Sequence, residues 1–324
     1  MRNKIKKLVL AMFCATMLVS NITGCGKSIK KTDKVNIVCT TFPEYDWARE
    51  IVGDSDTFEI TLLMQNGVDM HSYQASADDI ILISECDLFI YNGGESDNWI
   101  KDALKDKKNA DRIEINLMDI LGSNVREEEL APGMEAEHEE HEDAEEKEYD
   151  EHVWLSIKNA KICVDSICEE ICKLDSEKAE KYQENKDEYL SKLDEIDKEY
   201  DSLKNLENDT VVFADRFPFR YMFDDYNINY YAAFAGCSAE TEASFETVAF
   251  LSDRVNDLKI ETVFICDGSS QDLANTVISE TDAKNQTISV LNSMQSVTKE
   301  EIDAGATYYS IMQENYETLK KALE

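Results

Sequence analysis

The sequence predicts an α/β protein of two lobes, each with a mostly parallel β-sheet and flanking helices, joined by a long rigid helix. The first observation is that short apolar strand patterns alternate with helix patterns over residues 35–115 and again over 207–324. Such alternation is typical of βαβ units, in which the strands run parallel. The second observation is a helical pattern over residues 158–206 that contains neither Gly nor Pro. At about 1.5 Å per residue, even half of this segment would cross a whole domain.

The first lobe is predicted to occupy residues 35–157. Its apolar runs, such as Val-Asn-Ile-Val-Cys and Leu-Phe-Ile-Tyr, are short and rich in β-branched and aromatic side chains, which favours strands over helices. Longer amphipathic stretches separate these runs and predict helices. The predicted strands are 35–41, 58–63, 87–92 and 112–115, and the predicted helices are 44–52, 76–84 and 99–104.

The second lobe, residues 207–324, repeats this alternation after the helical linker at 158–206. Val248, Leu251, Val255 and Leu258 recur at helical spacing and predict a helix at 245–258 with one apolar face. The predicted strands of this lobe are 210–213, 229–234, 262–265 and 287–290, and the other helices are 219–226, 272–279 and 308–323.

The N-terminal residues have the layout of an export signal. Four basic residues and no acid precede an apolar run at 8–19, which is shorter than the roughly 20 residues that span a bilayer. Small residues before Cys25 are similar to a bacterial lipobox, although an ordinary signal peptide with a chance Cys would look alike. We predict a signal peptide at 1–24, lipidation of the Cys25 thiol and a Lys-rich tether at 25–34. The protein would then be anchored on the extracytoplasmic face of the cell membrane.

The charge of the chain argues against nucleic-acid binding. There are 33 Lys and Arg against 68 Asp and Glu, a formal net charge of −35, which repels phosphate backbones. Acidic residues make up 14 of the 26 positions of segment 126–151, with His138 and His141 among them. This segment has too few apolar residues to bury itself. It is either a solvated acidic loop or a weak collector of divalent cations, which carboxylates and imidazoles together suit.

The cysteines are interpreted as core residues. Cys163, Cys168 and Cys172 fall at near-helical spacing within an apolar stripe, where thiols pack as small hydrophobic groups. No Cys-x-x-Cys pair occurs in the chain, which argues against a thiolate zinc site or thioredoxin-like chemistry.

Two histidines outside the acidic segment lie in predicted loops of the first lobe. A lone histidine is usually a surface or satisfied core residue, but His71 and His152 both have acidic neighbours. Ligands of open α/β sheets gather beyond the carboxyl ends of the strands. Neutral imidazole binds zinc directly through one ring nitrogen. The two histidines are therefore candidate metal ligands.

The residues around these histidines resemble the metal-binding lipoproteins of bacterial ABC transporters, the zinc/manganese solute-binding proteins. The run Gly-Val-Asp-Met-His71-Ser-Tyr resembles the first ligand motif of that family, and Asp-Glu-His152-Val-Trp-Leu-Ser resembles the second. The resemblance covers essentially residues 35–324. It implies a two-lobe monomer with a rigid interlobe helix that captures a divalent ion and delivers it to an ABC permease. The ion implied is Zn²⁺, with Mn²⁺ or Fe²⁺ as the alternatives.

The resemblance is weaker in the second lobe. The His or Glu ligand of the family falls on Arg216, whose guanidinium has no lone pair for a cation. The neighbouring Asp215 could supply an oxygen ligand or cap the following helix. The late Asp ligand of the family falls on Asn292, which offers only a neutral carbonyl oxygen. Glu240 and Glu242 are further candidates between which the sequence does not choose.

The predicted metal ligands are therefore His71, His152 and Asp215, and no catalytic residue is predicted. A metallohydrolase would need an open coordination position and a general base, and the chain has no His-Glu-x-x-His motif and no nucleophile elbow. The remaining hypothesis is a surface adhesin-like lipoprotein with a degenerate metal site, which the residues at 216 and 292 leave open.

Overall fold

The computed structural model of the chain describes residues 34–65, 67–105, 107–135, 148–238 and 242–324. The predictions for Cys25, His138, His141 and Glu240 fall outside the described residues. Two four-stranded sheets, each entirely parallel, carry the fold, and helices flank both. The predicted class of two α/β lobes is confirmed. No helix within the described ranges has both the length and the apolar character needed to cross a bilayer.

The sheet of the first lobe has the strand order β2-β1-β3-β4. Alternate residues of its central strands face two different apolar clusters. Ile37 is buried in the cluster on one face of the sheet, and Val38 is buried in the cluster on the other. Burial on both faces explains why these strands are continuously apolar. The strands are β1 (Val35–Cys39), β2 (Phe58–Leu62), β3 (Leu88–Tyr91) and β4 (Ile113–Asn116), and the helices are α1 (Phe42–Val52), α2 (Ala77–Glu85), α3 (Ile100–Ala103) and α4 (Leu117–Leu121).

The linker differs from the prediction of one long helix. It forms two helices that pack against each other, α5 (Ile157–Leu174) and α6 (Ala179–Ser202), with a turn at residues 175–178. A single helix would carry its apolar stripe out into solvent, whereas the reversal buries Tyr182, Leu193 and Ile196 against α5 and α1. The Tyr182 hydroxyl also donates to the Asp175 carboxylate at 2.7 Å across the turn. Neither Gly nor Pro marks this turn, so the sequence pattern does not reveal it.

The sheet of the second lobe has the order β6-β5-β7-β8. Strand β5 runs four residues beyond its predicted end, with an irregular register between Phe213 and Arg216. Helices α8 and α11 have the bounds that the sequence predicts. The strands are β5 (Thr210–Phe217), β6 (Asn229–Ala235), β7 (Thr262–Cys266) and β8 (Thr287–Leu291), and the helices are α7 (Arg220–Tyr226), α8 (Phe245–Leu258), α9 (Asp272–Glu280), α10 (Lys299–Asp303) and α11 (Tyr308–Leu323).

One apolar core joins the two lobes and the linker helices. At the start of α11, the Tyr308 ring meets Trp47 of the first lobe edge to face, with ring centroids 5.2 Å apart. Tyr308 also donates its N–H to Asp46 at 2.8 Å and its hydroxyl to the Trp154 carbonyl at 2.7 Å. A continuous core of this kind favours small local shifts over wide hinge motion between the lobes.

Candidate metal centre

The loop after β2 holds His71 through two sets of contacts. Asp69 precedes a short 3₁₀ helix at Met70–Ser72, and Asp69 Oδ1 accepts the His71 N–H at 3.0 Å. On the ring, Nδ1 lies 2.7 Å from Ser96 Oγ, and the Ser96 N–H in turn donates to a carboxylate oxygen of Glu151. These contacts orient the ring so that its Nε2 faces His152.

His152 is completely buried at the start of the 3₁₀ helix Val153–Leu155. A single oxygen, Asp150 Oδ1, lies 2.9 Å from the His152 backbone nitrogen and 2.8 Å from its Nδ1. Because an ionised carboxylate only accepts hydrogen bonds, Nδ1 carries the ring proton and Nε2 carries the lone pair. This is the tautomer that binds a metal through Nε2.

The structure brings the two predicted histidines together. Their Nε2 atoms are 3.3 Å apart. Tetrahedral zinc with bonds of about 2.0–2.1 Å to nitrogen separates two nitrogen ligands by about 3.3–3.4 Å, so one ion could bind both rings. Burial, and after it the neighbouring His152, lowers the pKa of His71 to about 3, which keeps its imidazole neutral at physiological pH.

Cys237, which the sequence analysis does not single out, is the third potential ligand. Its Sγ and the histidine nitrogens lie within 4.8 Å of one another, and they form the one such group of three found in the described part of the chain. The preceding Gly236 permits this approach, because a Cβ there would lie 2.9 Å from His152 Cε1 and 3.0 Å from the Phe217 carbonyl oxygen. Burial raises the pKa of the Cys237 thiol well above its usual value, so metal binding would have to release its proton.

Asp215 lies beside the centre but not in it. Its Oδ1 accepts the N–H of Arg216 and its Oδ2 accepts the N–H of Cys266, both at 2.8 Å. With both oxygens bonded to backbone donors, the carboxylate connects β5 to β7. This geometry does not support the prediction that Asp215 supplies an oxygen ligand, because the irregular register of β5 directs the carboxylate toward β7.

Arg216 reaches from the second lobe to the first. Its Nη2 donates to Asp69 Oδ2 at 2.8 Å, while the other oxygen of Asp69 holds the backbone of His71. The guanidinium therefore lies where the family resemblance predicts a ligand. Its hydrogen bond to Asp69 connects the His71 loop to β5.

The turn after β8 contributes a residue that no motif predicts. Asn292 does not face the histidines, because its Oδ1 accepts the Met294 N–H at 2.8 Å in a turn where Met294 has a φ of 62°. This turn directs Gln295 toward them instead. Its amide nitrogen lies 2.9 Å from His71 Nε2 and 2.7 Å from His152 Nε2.

A cavity of about 660 Å³ lies beside His71, between residues of both lobes. Asp69, Asp215 and Glu242 line it together with Arg216, so carboxylates outnumber the one guanidinium in this set. Glu242 thus faces the cavity and is not in the group formed by the two histidines and Cys237. A cleft lined mainly by one sign of charge concentrates ions of the opposite sign, which here means cations.

Comparison with known proteins identifies the family of this chain. The family model described as zinc-uptake complex component A periplasmic, ZnuA, matches residues 37–322. The chain belongs to the ZnuA family. It is 29% identical to the high-affinity zinc uptake system protein ZnuA of Bacillus subtilis (strain 168) over 319 residues, which cover 98% of this chain and 96% of that protein.

A second relative is longer than this chain. The chain is 32% identical over 321 residues to the zinc-binding lipoprotein AdcA of Streptococcus pneumoniae (strain ATCC BAA-255 / R6). The match covers 98% of this chain and 60% of AdcA, so the chain spans about three fifths of the length of that relative.

Solved structures of relatives share the two-lobe fold. The Zn(II)-bound ZnuA-like domain of Streptococcus pneumoniae AdcA superposes with a TM-score of 0.69 at 28% identity and covers 90% of this chain and 99% of its own. The metal-dependent lipoprotein YcdH from Bacillus subtilis gives a TM-score of 0.72 at 27% identity with the same coverage. The family predicted from the motifs around His71 and His152 is therefore confirmed.

Proposed function

We propose that this chain captures a zinc ion outside the cytoplasm, between its two lobes, and delivers it to an ABC permease in the membrane. The observation that carries the proposal is the pair of buried imidazole nitrogens 3.3 Å apart with Cys237 Sγ in the same group. Membership of the ZnuA family and the zinc-binding names of its relatives support it. In this role the chain binds and releases an ion and carries out no chemical reaction.

The proposed ligands are His71 and His152, with Cys237 as the third donor in place of Asp215. The Asp150 carboxylate keeps the lone pair of His152 on Nε2, and Ser96 is the corresponding partner of His71. When zinc binds, the Cys237 thiol would lose its proton and bind as a thiolate.

The donor set supports zinc over manganese or iron. Imidazole nitrogen and thiolate sulfur suit zinc, whereas Mn²⁺ prefers carboxylate and carbonyl oxygens. Among the carboxylates near the histidines, Asp150 holds the Nδ1–H of His152 and Asp69 bonds to Arg216. Glu151 Oε2 lies 3.9 Å from Nδ1 of His71, the ring nitrogen that does not face His152. A lipoprotein with a degenerate metal site, the alternative hypothesis, would bind no ion tightly.

We further propose that lipidation of Cys25 anchors the protein on the extracytoplasmic face of the membrane. In this arrangement the acidic segment 126–151 collects ions weakly near the centre. Its described ends support this role, because Glu128 Oε1 lies 3.4 Å from the Cys237 nitrogen and Asp150 contacts His152.

The test is a zinc titration of the purified metal-free chain by calorimetry. We expect one tight site, which His71→Ala and His152→Ala should each weaken by more than about a hundredfold, since even the partners of ligating residues are worth 10–100-fold. His138→Ala and His141→Ala are matched controls that should leave the tight site unchanged. Circular dichroism of the metal-free variants checks that they fold.

Wild-type zinc affinity in the His71/His152 double variant would refute this site. If the wild-type chain bound zinc only weakly, the degenerate-site hypothesis would be correct instead.

A further inference from the structure

The two imidazoles of the centre present lone pairs to each other. Nδ1 of His152 donates to Asp150. The Ser96 hydroxyl donates to the Glu151 carboxylate, so Ser96 Oγ accepts the Nδ1–H of His71. Both ring protons therefore lie away from the 3.3 Å contact between the Nε2 atoms. Two facing lone pairs at this distance repel each other, and burial strengthens that repulsion. A cation or a hydrogen-bond donor placed beside both nitrogens removes it.

Gln295 supplies such a donor. Its Nε2 lies 2.7 Å from His152 Nε2 and 2.9 Å from His71 Nε2, and the residue is only 6% exposed. The amide oxygen could not take this position, because it would add a third acceptor to two lone pairs. Instead, Oε1 lies 3.2 Å from Ser293 Oγ, whose single proton is shared with Asp267 Oδ1 at 2.8 Å.

The hydrogen bonds from this amide cannot both be straight. The three nitrogens form a triangle with sides of 2.7, 2.9 and 3.3 Å, so the angle at the Gln295 nitrogen is acute. The two N–H bonds of a planar amide diverge more widely than that, and bent hydrogen bonds are weaker. The amide therefore satisfies both imidazoles without binding either of them optimally.

We propose that Gln295 stands in for the metal ion, bridging the two imidazoles with its amide N–H groups until an arriving cation displaces them. The inference rests on the proposed function, because it requires His71 and His152 to bind the ion. The ion has to compete with the amide, so Gln295 lowers the affinity of the centre and eases release. Rotation of the displaced amide would turn its neutral oxygen toward the ion, and this oxygen is a poor zinc donor.

Two substitutions distinguish a Gln295 side chain that competes with zinc from one that binds zinc as a ligand. Gln295→Leu removes both the donor and any oxygen ligand, whereas Gln295→Glu removes the donor and adds an anionic oxygen. Gln313→Leu is the matched control, because the Gln313 amide donates to the exposed Glu199, and neither residue belongs to the centre. We measure the zinc Kd by chelator competition at pH 8 and the melting temperature of each protein with and without zinc.

The stand-in role predicts that Gln295→Leu lowers the melting temperature of the metal-free form only. Its zinc Kd should fall about tenfold, the equivalent of one to two ordinary hydrogen bonds. Gln295→Glu should tighten binding further. In ¹⁵N–¹H spectra, the Gln295 side-chain amide signals of the metal-free wild type should shift on zinc addition, and those of Gln313 should not.

An unchanged Kd and melting temperature for Gln295→Leu would overturn the stand-in role but leave the proposed function intact. Binding weakened severalfold in Gln295→Leu would identify Gln295 as a ligand and also overturn it. A wild-type chain that binds no zinc tightly would overturn both the inference and the proposed function.

Discussion

Replacing Asp150 by Asn tests whether the tautomer of His152 sets the zinc affinity. Asp150 Oδ1 accepts both the backbone N–H and the Nδ1–H of His152, at 2.9 and 2.8 Å. The Asp150 backbone is held independently, by its N–H to the Arg126 carbonyl and its own carbonyl to the Tyr221 hydroxyl. The substitution should therefore keep the loop in place while removing the charge that fixes the ring proton on Nδ1.

The magnitude follows from the burial of this contact. A hydrogen bond to a charged group contributes about 1.5–3 kcal/mol, and His152 is completely buried. An Asn amide that presents its NH₂ to Nδ1 would also move the ring proton to Nε2, where it blocks the metal. We expect zinc binding to weaken by about 10- to 100-fold, the range found when partners of ligating histidines are removed.

The assay is zinc competition against a fluorescent chelator, with thermal unfolding of the metal-free variant as the folding control. Asp225→Asn is the matched control, because Asp225 accepts a hydrogen bond from Ser156 and does not contact either histidine. Wild-type affinity in a folded Asp150→Asn protein would refute the argument that Asp150 orients a metal ligand.

Four other substitutions have expected outcomes. Gly236→Ala should weaken zinc binding in calorimetry, since a Cβ 2.9 Å from His152 Cε1 forces the backbone of Cys237 away. Exchanging 136–147 for a Gly/Ser linker of equal length should reduce weakly bound zinc by metal analysis and keep one tight site. Cys25→Ala should leave the protein without acyl chains in mass spectrometry and released from membranes; a mature N-terminus elsewhere would contradict this. Burial raises the pKa of Glu44 to about 8 in the folded state, so its stabilising contribution is complete below pH 4.5 and is lost as the pH rises to 8. Glu44→Gln should therefore raise the free energy of unfolding at pH 8 by about 4 kcal/mol, but not at pH 4.5, in denaturant titrations.

The elements of regular structure are largely readable from the sequence. Helices α8 and α11 begin and end where their apolar periodicity predicts, and all eight strands overlap their predicted ranges. The five-residue helices α4 and α10 are missed, whereas the four-residue α3 lies within the predicted range 99–104. The reversal at residues 175–178 is missed because burial of the α6 stripe, and not a Gly or Pro, causes it.

Some residues of the candidate site can likewise be predicted from the sequence, and others cannot. His71 and His152 are recognisable because each lies in a short motif whose neighbours, Asp69 and Asp150, hold it from within two residues along the chain. The prediction for Asp215 rests on the family register, whereas the irregular path of β5 places its carboxylate oxygens against the backbone N–H groups of Arg216 and Cys266.

Features that depend on neighbours along the chain can be read from the sequence. These are the alternation of strands and helices, the two histidine loops and the acidity of segment 126–151. The packing of the two lobes brings further residues to the two histidines. Cys237 approaches the histidines because Gly236 leaves room for it, and Gln295 meets His152 across 143 residues of chain. Such contacts arise when two sheets pack on one core, and no local periodicity or motif encodes the distance between side chains on different lobes.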